Sequence, residues 1–103
     1  MRKIKCIVKR PDEEYGHMTS ISDTLENLQK TVGGYIETVP LQCGVIAIVN
    51  EEGKIQGLES NMRIPGDTLV GTIIICGTDG EEFSDIPIDF KAWKQYVDVT
   101  KAG

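Results

Sequence analysis

Two near-continuous apolar runs, residues 44–49 (GVIAIV) and 69–76 (LVGTIIIC), constrain this chain more than anything else in it. A strand with one wet face alternates apolar and polar side chains. Neither run does, so both are expected to be central strands covered on both faces. Gly71, inside the second run, implies a bulge or a close backbone approach. The chain around these runs, 103 residues in all, is long enough for one core and one domain spanning 1–103.

The remaining segments read as the frame of that core. Residues 3–10 put Ile4, Cys6 and Val8 on one side and Lys3, Lys5 and Lys9 on the other, with Ile7 breaking the pattern, as in a half-buried strand. A turn-rich stretch, 11–16, leads to 17–21, which can pair back as a hairpin. Ser22 or Asp23 is a fit N-cap for a helix over 23–32, with Glu26 placed for a capping box. Leu25, Leu28 and Val32 recur there at helical spacing, and Gly33-Gly34 ends the helix. Residues 35–42 form a strand whose Pro40 marks an edge or a bend. Asn50-Glu51-Glu52-Gly53 reads as a hairpin turn with positive φ at its glycine, and 54–58 as a brief return strand. Residues 59–68 read as an irregular loop turning at Pro65-Gly66, and 77–82 as a polar turn after which Phe83 re-enters the core. Asp89 caps a last helix, 89–99, with Phe90, Trp93 and Val97 on its core side, and 100–103 should fray. The fold class is therefore α+β, with a mixed or antiparallel sheet of about five strands. Helix 23–32 is expected on one sheet face, with helix 89–99 beside it or at the sheet's edge, which leaves the other face to loop 59–68 or to a second subunit.

Composition narrows function mostly by exclusion. A net charge of −5 and a pI near 4.8 leave no surplus of cations to meet nucleic-acid or membrane phosphate. An acidic surface that competes for a basic site on another protein remains open. Cys6, Cys43 and Cys76 form no CxxC pair, and His17 is the sole histidine, so neither zinc nor any other cofactor is expected. Each cysteine lies in an apolar run, which reads as three reduced, buried thiols of a cytoplasmic protein. The basic start, Met1-Arg2-Lys3, is followed by too short an apolar run for a signal peptide or a membrane span.

Several ordered motifs carry a resemblance. LENLQKTVGGYIETV, GVIAIVNEEGKIQGL, DTLVGTIIICG and GEEF occur in this order. Together they resemble a family of small proteins, a domain-of-unknown-function family found in phages, conjugative elements and Firmicutes genomes. The resemblance covers about residues 23–84. Two departures stand out: Asn61 and Arg63 are separated by Met62, and the connection before Asp67 is shorter than in the family pattern. What the resemblance implies is an accessory mobile-element protein, with no established chemistry attached.

Four residues stand out as candidate ligand contacts. Tyr35 and Glu37 share one face of a strand about 7 Å apart, where a ring and a carboxylate can hold a purine or a ribose. The plain alternative is a half-buried tyrosine beside a solvated carboxylate. Asn61 and Arg63 offer an amide and a planar fork to phosphate or carboxylate, against the alternative of a structural loop asparagine beside a surface arginine. The glycines at 33–34 follow a helix rather than precede one, which is the wrong order for a phosphate loop. The acids at 51–52 and 79–82 lack the alternating ligands of a calcium loop. His17 has no telling partner, and Trp93 reads as core. The leading expectation is a non-enzymatic binding protein for a small anionic or nucleotide-type ligand, such as a host signalling molecule. The alternative is an acidic module that inhibits or modulates a host protein, resting on the acidic runs at 12–14, 51–52 and 79–82. A homo-oligomer is compatible with either. An enzyme comes third, since no nucleophile–base or metal spacing is visible.

Overall fold

The computed structural model describes residues 2–102 as a single α+β domain. In chain order the elements are β1 (Lys3–Lys9), β2 (His17–Ser22), α1 (Leu25–Val32), β3 (Ile36–Pro40), β4 (Val45–Asn50), β5 (Ser60–Ile64), β6 (Asp67–Val70), β7 (Ile73–Asp79), β8 (Glu82–Ser84) and α2 (Phe90–Ala102). The main sheet runs β2-β1-β7-β4-β3, with β8 added to the far end of β7, and every pairing is antiparallel. The two apolar runs supply β4 and β7, paired with each other at the centre as expected. β3, with Pro40, lies at one edge.

The cover of the sheet differs from the sequence expectation. The two helices lie on opposite faces. On one face Leu28 and Val32 of α1 pack with Ile4, Cys6, Val8, Ile48, Ile74 and Cys76. On the other, Trp93 and Val97 of α2 pack with Ile7, Val45, Ala47, Val49, Ile73 and Ile75. Alternate side chains of the fully apolar strands need cover above and below, and an eight-residue helix cannot close both sides. Residues 59–68 share in the second face, though as structure rather than loop. They fold into the β5–β6 hairpin turned at Pro65-Gly66, with Gly66 at φ 81, and Met62 and Leu69 reach the core. The run 69–76 is accordingly broken in two. At Gly71, with φ 73, the chain leaves the small sheet and enters the large one, and a Cβ there would stand 2.8 Å from Leu58.

Local signals moved by a residue or two. Thr24 caps α1, its hydroxyl accepting from the Asn27 N–H at 3.1 Å. Asp23 still belongs to the sheet edge, its N–H bonded to the Arg2 carbonyl, so the helix begins one residue later. Leu25 is 59 % exposed, so Leu28 and Val32 carry the packing of α1. Gly33 ends the helix at φ 85 as read. The buried Asn50 side chain donates to the last carbonyl, that of Val32. Residues 51–57 do not return as a strand. They form consecutive turns that close on Gly57 at φ 73, and Gly53 is needed for proximity instead, since a Cβ would meet Val70 at 2.8 Å. Asp89 caps α2 through the Ala92 N–H, and the helix runs to Ala102, past the end read at 99; Gly103, the last of the residues expected to fray, lies outside the described residues.

All three cysteines are free, but they are not alike. Cys6 and Cys76 are fully buried, and desolvation first of all pushes their thiols up to about 11 and about 12. Cys43, expected inside, is exposed, because it lies in the turn before β4 begins at Val45, at φ 58. A thiol reagent at pH 8 should therefore titrate one group in the native protein and three after unfolding, since only the thiolate attacks. Zero or three fast thiols in the native state would contradict this packing.

Candidate functional site

Strand alternation places Lys9 on the same face as Ile7, the face covered by α2. The side chain is 2 % exposed. Its Nζ donates to Asn61 Oδ1 at 2.9 Å and to the Asn61 carbonyl at 3.3 Å. Asn61 Nδ2 donates in return to the carbonyls of Lys9 and Gly71, each at 2.8 Å. These four bonds staple the end of β1 to β5 and to the corner at Gly71. An ammonium has three donors, and among the described residues no carboxylate lies within ion-pair distance of this one. Burial pulls the Lys9 pKa below its usual value. The Lys101 charge adds to that, while Glu13 and Glu14 oppose it.

A buried cation without a counter-ion costs several kcal/mol of desolvation, which two charged hydrogen bonds of about 1.5–3 kcal/mol each offset in part. The lysine opens onto a cleft of about 280 Å³ between β5, Thr68 of β6 and the last turns of α2. Arg63 and Lys101 also line it. Lys101 is joined to Glu14 at 2.6 Å, and Arg63 makes no ion pair among the described residues. Among the described residues, three cations against one carboxylate leave the cleft at +2 in a chain of net charge −5. The helix α2 itself is tied to the connection between β1 and β2: Trp93 Nε1 donates to the Tyr15 carbonyl at 2.8 Å, and Tyr15 OH donates to Asp98 at 2.7 Å.

Arg63 and Thr100 also border a second hollow, of about 440 Å³, walled by Gln42, Pro65-Gly66, Tyr96 and Val99. That hollow adjoins a third, more apolar one of about 270 Å³ between the 41–45 turn and Trp93, Tyr96 and Val99.

The four residues named from the sequence divide in two. Asn61 and Arg63 share the cationic cleft, where Asn61, both amide hydrogens bonded within the chain, positions Lys9. Glu37 lines a separate polar hollow with Lys54, Asp67 and Thr68, in which Lys54 and Asp67 are ion-paired. Tyr35, 66 % exposed, lies in the bend just before β3 and not in the strand with Glu37, because the chain is still leaving the Gly33-Gly34 helix stop there. His17 is exposed and paired with Glu13 at 3.1 Å. No group of three or more His, Cys, Asp or Glu among the described residues could hold a metal. No helix of the described residues is long and apolar enough to cross a membrane. Sequence reasoning missed Lys9, read with Lys3 and Lys5 as facing water. The signal was Ile7: an apolar residue on the supposedly wet side of β1 implies that this side is covered too, with Lys9 two residues on.

The family model of a domain of unknown function, DUF3846, matches residues 4–100, and the chain belongs to that family. No curated protein and no solved structure matches it.

Proposed function

We propose that this DUF3846 chain is a non-enzymatic binding protein that holds a small anionic ligand, of nucleotide type, between Lys9, Arg63 and Lys101. One observation carries the reading: a buried lysine with no carboxylate partner among the described residues opens onto a cleft that two further cations line. A charge placed so is costly to the fold and is explained by an anion that completes it. The overall charge of −5 does not defeat this, because charges more than about 8–10 Å apart across solvent are largely screened at physiological salt. The motif resemblance to phage and conjugative-element proteins supports an accessory role, the sequestering of a host signalling or defence molecule. The free thiols support a cytoplasmic setting.

The test is thermal stabilisation by inorganic phosphate, pyrophosphate and nucleotides. Ligand at a hundred times its Kd should add about 2.7 kcal/mol, several degrees for a chain of this size. Lys9→Met and Arg63→Ala should each remove that shift, and Glu37→Ala should keep it. Lys9→Met removes a cation whose folded pKa lies below its unfolded value, so that the charge disfavours the native state at neutral pH, but it also leaves Asn61 Oδ1 and the Asn61 carbonyl without their donor, at about 1–3 kcal/mol. The ligand shift of each variant is therefore read against that variant's own unliganded melt. A full ligand shift in Arg63→Ala would refute the reading.

A second reading rests on Ile55, 86 % exposed in the turns over 51–57, which also expose Glu51, Glu52 and Lys54. An apolar tip with two acids on the same turns suits docking on a host protein. Absence of any ligand shift, with loss of a co-purifying host protein in Ile55→Asp, would favour it.

A further inference from the structure

The cationic cleft lies beside apolar ground, with Arg63 and Thr100 lining both, and this bears on the kind of anion that fits. Resting on the function proposed above, we infer that the ligand is an aromatic anion: its phosphate lies at Lys9, Arg63 and Lys101, and its flat ring lies against Tyr96 in the adjoining hollow.

Arg63 and Thr100 border both the cleft and the second hollow, so the two spaces share a wall. Tyr96 and Val99 border both the second hollow and the third, which carries the surface on toward Trp93. The second hollow, about 440 Å³, lies by itself within the roughly 300–1,000 Å³ usual for small-molecule sites, and the hollows of about 280 and 270 Å³ adjoin it. Tyr96 stacks on Trp93, ring centres 5.7 Å apart and planes at 22°, so the platform is rigid before any ligand arrives. From Tyr96 to Thr100 the helix rises about 6 Å, the span a sugar bridges between a base and its phosphate. Gln42 on the rim of the second hollow brings an amide that can both donate and accept at a ring edge. Val99, 69 % exposed, would be covered by the ring. An inorganic anion alone would leave this apolar wall unused.

The experiment compares AMP, ribose 5-phosphate, adenosine and inorganic phosphate by calorimetry and by Trp93 fluorescence, Trp93 being the sole tryptophan. AMP should bind at least about tenfold more tightly than ribose 5-phosphate and should alone quench Trp93. Tyr96→Leu should bring AMP down to the level of ribose 5-phosphate and leave the latter unchanged. Should that variant fold poorly, Val99→Gln fills the same hollow from an exposed position and should act alike. Equal affinities for AMP and ribose 5-phosphate in the parent would overturn the ring site and leave the anion site standing. Adenosine binding as tightly as AMP would overturn the shared placement. If no phosphate compound binds, the anion reading fails and this inference fails with it.

Discussion

Trp93→Ala is expected to remove most of the stability of this domain. The indole is fully buried, packs with residues of β1, β4 and β7, and donates to the Tyr15 carbonyl at 2.8 Å. Truncating a buried tryptophan costs about 3–5 kcal/mol, and the orphaned carbonyl adds about 1 kcal/mol more. A domain of this size has only about 5–15 kcal/mol to lose. With a urea slope of roughly 1.5 kcal/mol per molar, the unfolding midpoint should fall by about 3–4 M. Trp93→Phe keeps most of the volume and loses the hydrogen bond, so it should cost about 1–2 kcal/mol. A midpoint that barely moves in Trp93→Ala would mean that α2 does not close the second face of the sheet.

Gly16→Ala should come next, and its effect reaches the ligand site. Gly16 sits at φ 79, where an L side chain is strained by about 1–2 kcal/mol. A Cβ there would also stand 2.6 Å from the Val8 carbonyl oxygen and 2.8 Å from Lys9 Cβ. Backbone cannot yield as a flexible side chain can, so overpacking of about 1–3 kcal/mol adds to the strain. Gly66 and Gly80 are natural controls: both have positive φ, 81 and 65, and neither would meet an atom within 4 Å. Alanine at either should cost only the conformational part. Urea melts of the three variants separate strain from contact, and equal losses would show that Gly16 is not packed against β1. Because the clash falls on Lys9, the anion-dependent thermal shift should also weaken in whatever fraction of Gly16→Ala still folds.

What the sequence determined by itself was the set of elements whose cause is local. The cap at Asp89, the stop at Gly33 and the double-faced character of β4 and β7 follow from side chains within a few residues of each other. Antiparallel pairing of β1 with β2 was legible for the same reason, since a short polar connection leaves little else to do. Tertiary structure decided three matters. It set α1 and α2 on opposite faces, because periodicity tells a helix which of its own sides is apolar and never which side of a sheet it will meet. It made strands of 60–64 and 67–70, whose residues have modest strand propensity alone and are held by pairing and by Met62 and Leu69 in the core. Finally, it turned Lys9 from a residue read as solvated into a buried cation and joined it to Asn61 and Arg63, fifty residues and more away in sequence. Burial is a property of what covers a residue, and the cover here arrives from β5 and α2, which the sequence around Lys9 does not mention.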